Sequence, residues 1–298
     1  MTIPTDREIV GLVGHRFPGG TRTVGHWENW LLTDCTRRPP MPRGLLHPVV
    51  LFNVPIEAVG TSIAELFELG RSDGRPGAVT LLGYDWEYLQ PMYEDVEYRA
   101  EGGIVDVTRR VADSGEVLFD DVAYSIEMTA TDATQVARVT NRWRFRRGAP
   151  APHRGEPLAG SGTPIPPLVV EGIAVDRMKT MAALLRDPYP IHWDPDEARA
   201  AGHGDRPVNQ GPLNLAYIAN MLMAWAGDDG IRRLTVSFHG RVFAGDTVTA
   251  GGTIDEQRDH DREGRASCTV WLDRDGERLV SGTAVVVCPG PSDLDLRR

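Results

Sequence analysis

Gly211-Pro212-Leu213-Asn214-Leu215-Ala216-Tyr217-Ile218-Ala219-Asn220-Met221-Leu222-Met223-Ala224-Trp225 is the stretch that decides the fold. Proline suits the first turn of a helix, where an N–H would go unused anyway. The helix that follows has almost no polar face, so it must be covered on all sides. Directly after it come Ser237-Phe238-His239-Gly240-Arg241, Gly245-Asp246-Thr247-Val248 and Gly251-Gly252-Thr253-Ile254, then alternating segments divided by Asp275-Gly276. Asp-Gly between alternating apolar residues signals a hairpin. One buried helix and an antiparallel meander wrapping it make an α+β unit.

The meander has a counterpart upstream: Tyr84-Asp85-Trp86-Glu87-Tyr88, then Glu94-Asp95-Val96, then Gly102-Gly103-Ile104, with a turn at Ser114-Gly115. Three landmarks in the same order, roughly 150 residues apart, point to a duplicated fold. Between the copies, residues 149–168 are dense in Pro, Gly and Ser and read as a linker. The expected domains are therefore 1–148 and 169–298. Helices are expected over Pro55–Leu69, stopped by Gly70, and from an Asp176 cap through Leu185, ended by Pro188. A short one follows, with Asp194 as N-cap, Pro195 first and Gly202 beyond its end.

The 298 residues suit two domains of ordinary size, and 41% apolar with 25% charged residues is globular. No apolar run reaches the roughly 18 residues of a membrane helix. The N-terminus carries Asp6, Arg7 and Glu8 and no secretory pattern. Three cysteines, Cys35, Cys268 and Cys288, fit free thiols in a reducing compartment, so a cytoplasmic location is expected. A net charge of −10 argues against a nucleic-acid-binding face.

Chemistry concentrates in Asp187-Pro188-Tyr189-Pro190-Ile191-His192 and in Val208-Asn209-Gln210-Gly211. The two prolines are expected to hold an acid and an imidazole on a stiff, extended segment. Such a pair can activate a water as acid and base. Gly211 stands at a helix N-terminus, where its N–H would favour an oxyanion. Together these parts suit addition of water to a double bond conjugated to a carbonyl, or its reversal. By residue type alone, Asp187 also fits an Asp-Pro turn, His192 a packed histidine beside Trp193, and Gly211 a close-packing position.

Asp187-x-x-x-x-His192, Asp194-Pro195, Ala198, Gly202, Gly211 heading an apolar helix, and Ser237-Phe238…Arg241…Phe243…Gly245-Asp246-x-Val248 resemble the MaoC-like, (R)-specific enoyl-CoA hydratase/dehydratase family over about residues 170–290. The resemblance implies a double hot dog, two antiparallel sheets each wrapping a central helix, with the first half non-catalytic and shaping the acyl tunnel. It implies Asp187 and His192 as the catalytic pair and the Gly211 N–H as the group polarising the thioester oxygen. Water then adds with both parts on one face. The chain departs from the family at Tyr189, where Asn is usual, at Asn209-Gln210, where His is usual, and at Ala219 or a neighbour, where Ser is common. Tyr189, Asn209, Gln210 and Asn214 are accordingly candidates for contacting an unusual acyl group. In the first half, His47-Pro48 occupies the helix entrance.

No cofactor or metal is expected: the histidines lack zinc-like spacing, and there is no phosphate loop, dinucleotide fingerprint or nucleophile elbow. His203, between two glycines, reads as loop. Arg206, Arg232, Arg233 and Arg241 are candidates for the phosphates of an acyl-CoA or acyl-carrier-protein substrate. Two rivals to a hydro-lyase are kept. One is a hot dog thioesterase, which would want a carboxylate on the central helix where Asn214 and Asn220 stand; the other is a non-catalytic acyl-binding subunit. A monomer and a homodimer both fit a chain that already contains two copies.

Overall fold

The computed structural model describes residues 3–72, 78–148, 156–187, 189–258 and 264–287. Pro188, Cys288, His153, His260 and residues 149–155 of the expected linker lie outside them. The first half holds α1 (Asp6–Val10), β1 (Gly20–Thr23), α2 (His26–Cys35), α3 (Val54–Ala58), α4 (Ile63–Leu69), β2 (Val79–Tyr88), β3 (Glu97–Val111), β4 (Val117–Ala130) and β5 (Gln135–Arg146). The second holds β6 (Thr163–Val170), α5 (Val175–Leu184), α6 (Pro195–Ala200), α7 (Gly211–Ala226), β7 (Ile231–Phe238), β8 (Val248–Arg258), β9 (Arg265–Arg274) and β10 (Glu277–Val287).

Where two separate sheets were expected, one antiparallel sheet runs β1-β3-β4-β5-β2-β7-β10-β9-β8-β6. The order is the same outward from either side of the β2–β7 seam, where Gly83 faces Ser237 and Trp86 faces Leu234. The halves share a seam because β2 and β7 each end their own meander with an unpaired edge, and pairing removes both edges.

The duplication is visible bond by bond. Leu46 N–H donates to Met92 O at 2.8 Å, as Asn209 N–H does to Val242 O. Glu94 N–H donates to Gly44 O at 2.8 Å, as Ala244 N–H does to Pro207 O at 2.9 Å. Asp95 N–H donates to Val24 O at 2.9 Å, as Gly245 N–H does to Ile173 O at 2.8 Å. The helices α2 and α5, each of 10 residues, follow the last pair of acceptors and pack on each other. Sequence patterning had not marked α2, whose two exposed tryptophans, Trp27 and Trp30, blur its apolar face.

Several expected elements are displaced. The helix read over Pro55–Leu69 is two, because Gly60 takes φ 75° and Ser62 caps α4 by accepting from Glu65 N–H at 3.2 Å. Asp176 lies inside the first turn of α5, whose N-cap is Ala174. Residues 163–168, read as linker, belong to β6. It tolerates Pro164, Pro166 and Pro167 because it is an edge strand, and its register slips between Ile165 and Leu168. Asp194 does cap α6, accepting from Asp196 N–H at 2.8 Å. Asp275 (φ 49°) and Gly276 (φ 81°) make the hairpin turn.

Helix α7 is buried along nearly its whole length, between the second meander and the first half's Pro48–Leu51 turn. Its polar link to the first half is Asn220, whose Oδ1 accepts from His47 Nε2 at 2.9 Å and whose Nδ2 donates to Thr36 O at 2.9 Å. His47 Nδ1 in turn accepts from Val49 N–H at 3.0 Å, and burial pushes the ring's pKa down to about 4.

A second buried polar knot ties the sheet to α4. Asp120, fully buried, accepts from Arg109 Nε and Arg147 Nε, each at 2.7 Å, and Arg147 also donates to Gly70 O and Arg71 O at the end of α4. Removing the carboxylate would leave the buried Arg147 guanidinium without an ion partner and Arg109 with only the exposed Asp6. Asp120→Ala is therefore expected to cost about 3–5 kcal/mol of stability, read by chemical denaturation. A cost below about 1 kcal/mol would contradict the account.

Candidate active site

The segment expected to be extended is instead one tight 3-10 turn, Pro190–His192, with Pro190 at its first position. The turn brings the side chain of His192 back over Asp187, so that His192 Nε2 and Asp187 Oδ2 lie 3.6 Å apart, both largely buried. His192 Nδ1 lies 2.7 Å from Val208 O. A carbonyl oxygen only accepts, so Nδ1 carries the proton, and in the neutral ring Nε2 offers a lone pair towards Asp187. Two acceptors facing each other at that distance share no hydrogen bond of their own, and a donor placed between them would satisfy both. Asp187 Oδ1 accepts from Tyr189 N–H at 3.0 Å. Burial raises the Asp187 pKa above its ordinary value, and the neighbouring His192 offsets only part of that.

One cleft gathers Asp187, Tyr189, His192, Asn209, Gln210, Gly211 and Asn214. Gly211 is the first residue of α7, so its N–H has no acceptor within the helix. The polar candidates are partly committed elsewhere. Asn209 Nδ2 donates to Asn214 Oδ1 at 2.7 Å, and Gln210 Nε2 donates to Met178 O at 2.7 Å. The opposite wall comes from the first half: Phe52, Phe67, Val79, Leu81 and Trp143. Tyr189 stands edge-on to both Phe67 and His192.

The first half lacks the same parts at equivalent positions. Counting on from the matched donors Leu46 and Asn209, Pro48 stands where Gly211 stands, and proline has no N–H to offer. Arg37 and Arg186 both turn left-handed after their helices, at φ 64° and 49°; the next residue is Arg38 in one and Asp187 in the other.

Two residues of this region, His203 and Tyr84, carried no functional signal in the sequence, whereas Arg241 stood among the phosphate candidates. His203, read as loop, lines the cleft, as does Arg241. Tyr84, read only as a strand residue, has a buried hydroxyl with no hydrogen-bond partner among the described residues. A Cβ placed on Gly211 would lie 3.3 Å from that hydroxyl. The ring is clamped edge-on by Phe52 and Phe238 and tilted against Trp86. Of the arginines considered for phosphates, Arg206 is paired with Asp246 and Arg233 with Asp85. Arg232 donates to the backbone at Asp229 and Ile231.

The architecture and the cleft between its halves define a double hot dog protein. Within it, residues 166–272 match the family described as MaoC like domain. None of the curated proteins matches the chain. Among solved structures, a MaoC-like dehydratase is 16% identical with a TM-score of 0.72, covering 94% of this chain and 100% of that one. A Mycobacterium tuberculosis protein described as having a double hotdog fold is 13% identical with a TM-score of 0.62, covering 92% of this chain and 96% of that one. A protein assigned as an oleoyl thioesterase from Lactobacillus plantarum is 11% identical with a TM-score of 0.53, covering 92% and 97%.

The raised Asp187 pKa has a consequence for stability. The folded chain holds that proton more tightly than the unfolded one, so this group's contribution is present at low pH and is lost as pH rises through the folded value. Asp187→Asn is thus expected to melt above the unaltered protein at pH 7, with the gap closing as pH is lowered towards about 4. A lower melting temperature for the variant at pH 7 would contradict the burial argument.

Proposed function

We propose that the protein is a hydro-lyase that adds water to a 2-enoyl thioester, or removes it from a 3-hydroxyacyl thioester, at the Asp187–His192 pair. The observation that carries this reading is the tautomer of His192: its Nδ1 proton is spent on Val208 O, which turns Nε2 and the Asp187 carboxylate towards each other as two acceptors that one water could bridge. A water there would give up a proton to the pair as its oxygen bonds to C3. The electrons of the C2–C3 double bond move towards the thioester carbonyl, whose oxygen rests on the Gly211 N–H. The proton held by the pair then goes to C2 from the same side. Atoms balance with no other reactant, and dehydration is the same path reversed.

Two further features support it. The first-half wall is apolar and would exclude bulk water from the enolate. The Tyr84 hydroxyl, kept protonated because burial raises its pKa, is an unused donor beside Gly211 and would share the developing oxyanion. The MaoC-like match over the second half gives the reaction class its weight, and the neighbour assigned as a thioesterase keeps the rival in view. A thioesterase of this fold would want a carboxylate on α7; that helix carries none, and Asn220 is engaged by His47 and Thr36.

Loss of the conjugated enoyl-thioester absorbance, followed beside release of free thiol, separates these readings. Signal loss without thiol is expected. Asp187→Asn and His192→Ala should each lower kcat by roughly a hundredfold or more with the near-ultraviolet dichroism unchanged. The acid limb of kcat should lie above the ordinary Asp value of 3.8, since the pair works with Asp187 ionised. Tyr84→Phe should lower kcat by about tenfold or more and leave KM nearly unaltered. Full activity in both dyad variants would remove the mechanism, and stoichiometric thiol release would transfer the protein to the thioesterases.

A further inference from the structure

The cleft holds more positive charge than hydration of a neutral acyl chain would need. Arg241 and His203 line it together with Asp187 and His192. Arg146, the last residue of β5, presents a buried Nε with no hydrogen-bond partner. Among the described residues neither Arg146 nor Arg241 has a carboxylate within ion-pairing distance. That is unusual here, because the chain carries 42 acidic against 32 basic residues. The neighbouring arginines are all matched: Arg144 with Asp121, Arg147 with Asp120, Arg274 with Asp246 and Arg206 with Asp246. Arg146 N–H donates to Ala78 O at 2.9 Å, next to Val79, which lines the same cleft. Burial, Arg241 and Arg146 push His203 down to about 4, and burial with Arg146 lowers Arg241 itself. Two guanidiniums held half-buried near an imidazole, with no carboxylate in ion-pairing distance among the described residues, form a site that an anion would complete.

We propose that Arg146, Arg241 and His203 form an oxyanion-binding subsite of the cleft, which takes a negatively charged group of the substrate close to the Asp187–His192 pair. The guanidinium fork suits a carboxylate or a phosphate equally. The anion is therefore either a carboxylate borne by the acyl group or a phosphate of its carrier. The identity of the substrate as a thioester rests on the hydro-lyase reading; the subsite does not.

Saturated thioesters test this without turnover. Calorimetric titration of the full chain with pentanoyl and glutaryl thioesters, each on CoA and on phosphate-free pantetheine, separates the two sources. If the acyl group supplies the anion, glutaryl-pantetheine binds at least tenfold more tightly than pentanoyl-pantetheine, and Arg241→Gln or Arg146→Gln removes the difference. If the carrier supplies it, both CoA thioesters bind at least tenfold more tightly than their pantetheine counterparts, and the same substitutions remove that difference. Should either variant fail to fold, the other decides. Should both fail, the ordering in the unaltered protein must collapse between 50 and 500 mM salt, on the order of the screening expected for charge pairing. Affinities that do not depend on ligand charge, no binding at all, or an ordering that survives substitution or salt would overturn the subsite. Hydration of crotonyl-CoA and of glutaconyl-CoA, whose acyl group carries a carboxylate, assayed on the same preparation, reports separately on the lyase reading. Its absence alongside charge-ordered binding would sink that reading and leave the subsite standing.

Discussion

A helix without a polar face cannot rest against one sheet, and α7 is such a helix. Residues from Pro212 to Met223 are buried, with only Asn214, Tyr217 and Asn220 carrying polar side-chain atoms that can bond sideways. One meander covers a single side, so the other must be covered from elsewhere in the chain. The first half supplies that cover through the Pro48–Leu51 turn. It fixes the approach through the bond from His47 to Asn220, which has no water to compete with it. Everything functional follows from this docking, because the cleft at the start of α7 is walled on one side by its own half and on the other by Phe52, Phe67, Leu81 and Trp143.

On the proposed reading, the two halves divide their labour by small changes at matched positions. Gly211 keeps an amide that Pro48 lacks; Asp187 stands where the first half has Arg38. The first half's central helix is broken into the Pro48–Leu51 turn and α3, and carries Pro55. It thereby loses a helix dipole that could polarise anything, while its aromatic side chains remain as wall. Such a division is open to a duplicated chain: once both copies are covalently joined, only one site per pair has to stay competent.

Polar groups around the cleft sort into those already satisfied and those not. Gln210 is pinned to α5 and Asn209 is bonded to Asn214, so the residues that differ from the MaoC-like pattern serve partly to hold the loop before α7. The atoms without a partner among the described residues include the Tyr84 hydroxyl, Trp143 Nε1 and Arg146 Nε from the first half and Asn209 Oδ1 and Gln210 Oε1 from the second. Buried polar groups seldom stay unpaired without a partner to come. The Tyr84 hydroxyl lies beside Gly211, where the thioester oxygen of the proposed substrate would rest.

The sequence by itself determined the elements whose signals are local. The apolar run of α7, the Asp194 cap with Pro195, the Asp275-Gly276 turn and the repeated glycine landmarks each depend on residues within a few positions, and each is where it was read. The Asp187–His192 spacing was equally legible as a spacing. Tertiary structure alone decided what spacing cannot encode. The Val208 carbonyl that sets the His192 tautomer, the seam that merges two sheets into one, and the edge position that admits prolines into β6 all come from distant chain. His203 meets Arg241 in the cleft, and Tyr84 on β2 reaches Gly211, only because strands and loops far apart in the chain converge there. No periodicity marks a residue whose partners are a fold away, since hydrogen bonding and charge act over a few ångströms of space and not along the chain.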